Sequence, residues 1–481
     1  MTEERSHHRC GPPVEHHPRT MYTFNEEMDR NKITRPSASR APIERLFSPF
    51  QDFFRTEVSG GIVLLISTAV ALVWANSPWS DMYFLIWHTP IKISLGEWML
   101  VQSLHQWIND GLMVIFFLLV GLEIKREILV GELSSFRKAS LPFAAAAGGM
   151  IVPALIYTAL NAHQAGSAGW GIPMATDIAF TIGIMALMGD RICFNLKIFL
   201  TALAIVDDLG AVIVIALFYS SDISWASLVP GAVITCALMI ANLLGIRHRL
   251  VYGVLGFGLW LSFYNSGIHP TVAGIVLAFI IPARPRVNRD EFLEKSRSIL
   301  DVFEKTGINT GGNILESRVQ QEAAEALVTA SQFVQTPLQR IEHILNPWVT
   351  FFIIPVFALT NAGIPLSPEL ISSMTNPVAL GIICGLVLGK QAGITLFTVL
   401  AVRTGLSVLP RDVSMKDIYG MACLAGIGFT MSFFVTNLAF EDGRLLSIAR
   451  LAILTASSLS AVIGWFVLSK TASGCNKNNT I

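Results

Sequence analysis

The chain has 481 residues, 52% of them hydrophobic and only 14% charged, with a mean hydropathy of +0.56 and a formal net charge of zero. Soluble domains carry about 25% charged residues, so a chain long enough for about three such domains cannot clothe them in water and must present most of its surface to lipid. The zero net charge argues against a nucleic-acid partner, and six cysteines with no CxxC or other ligand spacing exclude a disulfide framework and structural zinc.

Residues 1–57 are polar, rich in both signs of charge, and lack a short apolar core followed by a small-residue cleavage site, so they read as a polar tail and not as a signal peptide. The first apolar run, 58–76, is long enough to cross about 30 Å of hydrocarbon at roughly 1.5 Å per residue. Eleven further runs follow, at 104–122, 140–160, 172–188, 196–218, 225–243, 250–265, 266–282, 345–363, 377–401, 417–438 and 446–468. The predicted fold is an all-α polytopic membrane protein of about twelve spans, a membrane domain over 58–470 with a short tail at 471–481. Twelve spans put both termini on one side.

Short cytoplasmic loops accumulate Lys and Arg. With the N-terminal tail and its nine basic residues inside, the other inside segments hold Lys125, Arg126, Arg137 and Lys138, then Arg191 and Lys197, Arg247 and Arg249, and Arg403, Arg411 and Lys416. The long segment 284–344 adds eight more basic residues, and its stretch from Ile314 to Phe333 is expected to form a surface helix. The opposite face has Lys92 and Arg444, with Arg450 slightly inside the last span. On that face, His88 to Leu100 alternates apolar residues about Gly96 and fits a short hairpin or a plain loop.

Two segments resemble each other. Asp177-Ile-Ala-Phe-Thr-Ile-Gly183 can be laid on Gly426-Ile-Gly-Phe-Thr-Met-Ser432 with Ile, Phe and Thr at the same offsets. Both sit at mid-span, in the middle member of a triplet: spans 3–5 and spans 10–12. An odd number of spans separates them, so the triplets run in opposite directions. Inverted-topology repeats with two interrupted helices, spans 4 and 11, mark secondary transporters, whose broken helices aim dipole ends at a midplane site. Small residues packing helices closely is the plainer explanation for one such segment; a matched pair favours a transport site.

Ionisable residues inside the spans are Asp110, Asp177, Asp207, Asp208 and Lys390. Each charge costs about 2.5 to 3.5 kcal/mol at a span centre. Asp207 and Asp208 are flanked by apolar runs with no route to the interface, so they require a wet cavity, a cation or a basic partner, and Lys390, the only lysine deep in a span, is the natural counter-ion. Two adjacent carboxylates can hold a hard cation through oxygen ligands or hold protons, and loading one expels the other. Asp177 would offset the positive ends of the broken helices, with Thr176 supplying a hydroxyl and a carbonyl. A purely structural ion pair with Lys390 explains only one of the two aspartates. Asp110 fits a satisfied polar group equally well, and His269, Glu123, Lys125, Glu127, Glu342 and His343 read first as solvated loop charges.

Ala175-Thr-Asp-Ile-Ala-Phe180, Ala202-Leu-Ala-Ile-Val-Asp-Asp-Leu-Gly210, Gly389-Lys-Gln-Ala-Gly393 and Gly426-Ile-Gly-Phe-Thr-Met-Ser432, after Gly121-Leu-Glu-Ile-Lys-Arg-Glu127, resemble NhaA-type sodium/proton antiporters, a family of inverted-repeat transporters. The resemblance covers about 50–470. It implies that Asp208 binds the cation, that Asp207 pairs with Lys390 and takes part in proton exchange, and that Thr176, Asp177, Gly426 and Gly428 belong to the crossed broken-helix assembly. It also implies electrogenic export of Na⁺ or Li⁺ for protons, activation at alkaline pH, a bacterial inner membrane, a homodimer joined by the outside hairpin, no cofactor, and pH sensing at Glu123, Arg126, Glu127, Glu342 and His343. Asp110 and His269 would be accessory. Where the family pattern carries a second histidine three places beyond the one matching His343, this chain has Asn346, and 1–57 and 284–336 are longer than in compact members.

Three other functions deserve comparison. An intramembrane aspartyl protease holds its carboxylates face to face from separate helices, whereas Asp207 and Asp208 are neighbours on one. A proton-coupled carrier of an organic solute would share the repeat but not the ion. A channel is the poorest fit, because the buried charges balance one another and form no ring.

Overall fold

The computed structural model describes residues 57–95, 98–220, 224–285, 288–309 and 318–471. The expected N-terminal tail up to residue 56, the C-terminal tail beyond Thr471, Gly96 of the hairpin and the start of the expected helix at Ile314 lie outside the described residues.

Helix α1 (Glu57–Ala75) is followed at a bend of 113° by α2 (Ser80–His88). Strands β1 (Pro90–Leu95) and β2 (Trp98–Ser103) then pair antiparallel, with Lys92 opposite Val101 and Ile93 opposite Leu100, so the alternation about Gly96 does make a hairpin. A turn at Leu104–Gln106, closed by a reciprocal Ser103/Gln106 capping box, and a π-helical turn at Trp107–Leu112 lead into α3 (Met113–Val130). Next come α4 (Phe136–Asn161), a 3₁₀ segment at Ser167–Met174, α5 (Ile178–Leu187), α6 (Phe194–Phe218), α7 (Trp225–Leu243), α8 (Arg249–Ser266) and α9 (Val272–Ile280). The long connecting segment contains α10 (Arg289–Asn309) and α11 (Arg318–Val334), which pack on each other. The second part has α12 (Pro337–Trp348), a π turn at Val349–Ile353, α13 (Ile354–Asn361), α14 (Pro377–Ile383), a π turn at Cys384–Gly389, α15 (Lys390–Arg403), α16 (Met415–Ala425), α17 (Phe429–Ala439) and α18 (Gly443–Thr471).

Each predicted span overlaps helix, and the protein is an all-α, multi-pass membrane protein. Among the described residues, seven helices are long and apolar enough to cross a bilayer, or nine when each of two bent pairs counts as one span. The exterior is what lipid requires: on α7, Val229, Val233, Ile240 and Leu243 are each more than half exposed. The 266–282 run is helical only over Val272–Ile280. Gly267, at φ 85°, ends α8 in the left-handed region, and Pro270 follows before the new helix starts. Among the described residues, two helices of nine or more residues escape the hydropathy reading. One is α2, too short to register as a run. The other is α10, whose i,i+4 pairs Lys295–Glu291 and Lys305–Asp301 mark a polar amphipathic helix. Helix α11 confirms most of the expected 314–333 helix.

The site is set by how closely α4 approaches α15. A Cβ on Gly148 would strike the carbonyl oxygen of Gly393, and one on Gly393 would strike that of Gly148, so only glycine permits this backbone contact. It brings the Lys390 side chain within 3.7 Å of where a Cβ of Gly149 would stand. Helix α6 also packs against α4.

Candidate functional site

Both matched segments break where their glycines, alanines and threonines cluster. After the 3₁₀ segment the chain is extended at Ala175 to Asp177, and α5 begins at Ile178. Helices α16 and α17 meet at a bend of 47° across Gly426 to Gly428. The two breaks cross. Asp177 donates its N–H to the Ile427 carbonyl at 2.7 Å, and the Thr176 hydroxyl donates to the Ala425 carbonyl at 2.9 Å. The Ser432 hydroxyl returns the favour to the Ile172 carbonyl at 2.9 Å. Each broken helix thus supplies the partners that the other's unpaired carbonyls lack. Gly428 is required here, since a Cβ would stand 3.2 Å from the Ala175 carbonyl oxygen and strike Ser432 Oγ.

Asp177 serves two helix N-termini at once. Its Oδ1 accepts from Phe180 N at 3.0 Å, capping α5. Its Oδ2 accepts from Thr430 N at 3.1 Å and Thr430 Oγ1 at 2.6 Å, in the first turn of α17. A carboxylate between two positive dipole ends is electrostatically at home.

One face of this crossing meets α6 and α15. Lys390 follows directly on the π turn Cys384–Gly389 and is fully buried; such turns interrupt the regular ladder and recur at functional sites. Its Nζ donates to Asp207 Oδ2 at 2.6 Å and to Thr176 Oγ1 at 2.9 Å, which links the ion pair to the crossing. Among the described residues, Asp207 Oδ1 has no hydrogen-bond partner. Asp208 is 2% exposed, and among the described residues it accepts no hydrogen bond and makes no ion pair. Of the two aspartates that the apolar flanks left equivalent, the fold commits Asp207 to the lysine and leaves Asp208 open. Among the described residues, no three His, Cys, Asp or Glu side chains gather into a metal site, so a cation at Asp208 would complete its shell with hydroxyl, carbonyl or water oxygens.

The other expected residues form two further groups. Arg126 pairs with Glu342 Oε1 and lies 3.4 Å from Glu127 Oε1, while Glu127 Oε2 accepts from Glu132 N at 3.0 Å. Glu123 is on the same helix one turn earlier, within electrostatic range of all three. These are not solvated loop charges: Glu342 is 9% exposed and its Oε2 has no partner. His343 faces outward from α12 and joins none of these bonds. Asp110, in the π turn Trp107–Leu112, stands 3.7 Å from His269 Nε2, and His269 Nδ1 bonds Thr271 Oγ1 at 2.7 Å. The sequence reading treated Asp110 and His269 separately; the fold makes them neighbours.

A buried polar junction was missed. Arg450, 9% exposed, donates through Nη2 to Asn437 Oδ1 at 2.7 Å and Asn361 Oδ1 at 3.1 Å. Asn361 in turn bonds Asn109 at 3.1 Å and His105 at 3.1 Å. The available signal was Arg450 itself, a basic residue inside an apolar span on the basic-poor side. Its neutral partners carry none.

A bundle of apolar helices in which two broken helices cross beside a buried lysine and two buried carboxylates defines the class of ion-coupled secondary carriers. The family Na⁺/H⁺ antiporter 1 matches residues 51–468. The chain is 47% identical to the Na⁺/H⁺ antiporter NhaA of Oleidesulfovibrio alaskensis over 90% of its own length and 96% of that protein's. It is 48% identical to the NhaA of Syntrophobacter fumaroxidans, covering 91% and 93% of the two chains, and 48% identical to NhaA 2 of Syntrophotalea carbinolica, covering 89% and 97%. The chain belongs to the Na⁺/H⁺ antiporter 1 family.

Proposed function

We propose that this protein exports Na⁺ or Li⁺ in exchange for a larger number of protons, by alternating access at Asp208, in a bacterial inner membrane with both termini cytoplasmic. The observation that carries this reading is a buried carboxylate, Asp208, which among the described residues has no hydrogen bond or ion pair, beside an Asp207–Lys390 pair that ties it to the crossed helices. An anion left unpaired in such a place is costly, so it takes either a proton or a cation. Competition between the two for one carboxyl group couples their movements: a proton arriving at Asp208 from outside displaces Na⁺, and Na⁺ from inside displaces the proton. Asp207 and Lys390 share a second exchangeable proton between Oδ2 and Nζ, which would make the exchange electrogenic.

Asp177 and Thr176 hold the crossing together and present it to Lys390. Glu123, Arg126, Glu127, Glu342 and His343 set the pH at which exchange begins, and the hairpin joins two copies in a homodimer. The test is collapse of a respiration-generated pH gradient in everted vesicles on adding NaCl, LiCl or KCl between about pH 6.5 and 9, beside Asp208→Asn. Collapse by Na⁺ and Li⁺ in the wild type only supports the reading. Collapse of equal size in Asp208→Asn removes Asp208 from it.

A further inference from the structure

The Arg450 junction lies at the end of the bundle that bears the hairpin: His105 is two residues beyond the last residue of β2. A recess of about 430 Å³ enters from that end between Tyr83, Trp87, Ser103 and Ser447 and has Arg450 and Asn437 in its wall. Beyond Asn437, α17 runs back through the buried Thr436 and Phe433 to Thr430, which bonds Asp177. The recess and the crossing are therefore joined along one helix, with Arg450 at the outer limit of the buried stretch.

The bonding of Arg450 is unusual for a buried guanidinium. Among the described residues its hydrogen-bond partners are the two asparagine oxygens and, at 3.5 Å, His105 Nε2, none of them an acid, and its Nε is unsatisfied. A guanidinium cannot shed its proton, so this is a permanent positive charge held by neutral acceptors. Two of its acceptors sit on different helices and also bond each other, Asn437 Nδ2 donating to Asn361 Oδ1 at 2.7 Å. Asn437 is on α17, half of a broken helix, and Asn361 ends α13 and bonds Asn109 ahead of α3. A carboxylate partner would fix such a contact firmly, whereas amide acceptors leave it easy to break and remake.

We propose that Arg450 is the latch of a gate that closes the exchange site from the hairpin end, clamping Asn437 of α17 to Asn361 of α13. This rests on the exchange reading above. Closed, the latch places a fixed positive charge across the path of a cation and joins α17 to the helices beside it. Opened, it frees the Asn437 amide oxygen, a ligand of the kind a hard cation takes, while Asn361 Oδ1 keeps its bonds to Asn437 Nδ2 and His105. Arg450 is a positioning residue: it acts on the site through α17.

Two measurements test it. In proteoliposomes of full-length protein, the KM for Na⁺ is measured with Na⁺ added on the hairpin side and on the opposite side. Loss of the latch in Arg450→Gln favours the state open at the hairpin end, so the KM from that side falls and the KM from the other rises, each by about tenfold, the weight of roughly one charge-assisted hydrogen bond. Arg450→Lys, which keeps a cation there, restores most of the shift. Equal shifts in both directions, or none, would show a structural role and overturn the latch. Should Arg450→Gln fail to assemble, Asn437→Ala removes the acceptor and carries the same expectation. The second measurement needs no transport: a Thr436→Cys reporter, buried one residue below Asn437, is alkylated by an impermeant thiol reagent from the hairpin side, against the same background without the reporter. Labelling several-fold faster with Arg450→Gln or Asn437→Ala supports the latch, and unchanged labelling overturns it. A wild type that exchanges no Na⁺ sinks the exchange reading alone, because the labelling still judges the gate.

Discussion

Asp177 and Asp208 are buried to the same degree, each 2% exposed, yet the molecule treats them in opposite ways. The crossing of the broken helices surrounds Asp177 with three donors and two helix N-termini. The adjoining face of α6 gives Asp208 nothing. Burial alone therefore does not distinguish the two carboxylates; the count of donors does. On the proposed reading, a charge whose bonds are complete contributes to the framework, and one whose bonds are missing is open to the exchanged ion.

The sharpest way to break this contrast is to neutralise the open carboxylate. Asp208→Asn is expected to reduce Na⁺-driven proton movement to background in everted vesicles while melting in detergent at or above the wild-type temperature, since it removes a buried charge that has no hydrogen bond or ion pair among the described residues. Lys390→Ala comes next. It strands Asp207, and breaking a buried pair costs about 3 to 5 kcal/mol, so a large drop in melting temperature is expected together with altered pH dependence. Unchanged melting would show that the pair is not the tie it looks to be from the 2.6 Å contact.

Asp177→Asn should be milder but opposite in kind to Asp208→Asn. An amide can accept from one side only, leaving a donor against the Thr430 N–H or the Phe180 N–H, at about 1 to 3 kcal/mol. The expected outcome is a lower melting temperature with reduced but measurable exchange. If Asp177→Asn melted normally and Asp208→Asn collapsed, the division between framework and working carboxylate would be reversed. The smallest effect is expected from Glu342→Gln, which releases Arg126 at the end of the bundle away from the hairpin. Exchange activity assayed against pH should keep its maximum and move its midpoint, and a profile identical to wild type would remove Glu342 from pH control.

Much of the site was legible from residues. Asp207, Asp208 and Lys390 stand out because charge inside an apolar run has few explanations, and the breaks announced themselves as glycine-rich mid-span segments present twice. Other features left no such trace. The π turns before Lys390 and around Asp110 have no composition of their own, because they differ from α-helix only in which carbonyl each N–H finds. Asp110 and His269 come together through the packing of two stretches far apart in sequence. The asparagines around Arg450 are invisible for a simpler reason: one neutral amide in an apolar helix costs little and so shows little.

The sequence by itself determined the solvent, the helical class, the broken segments and the inventory of buried charge, since each follows from the local free energy of placing these side chains in hydrocarbon. Tertiary structure alone decided how that charge is divided. Asp207 and Asp208 are chemically identical neighbours about 100° apart around one helix, and only the close passage of α4 along α15, allowed by Gly148 and Gly393, carries Lys390 to the first and leaves the second without a partner.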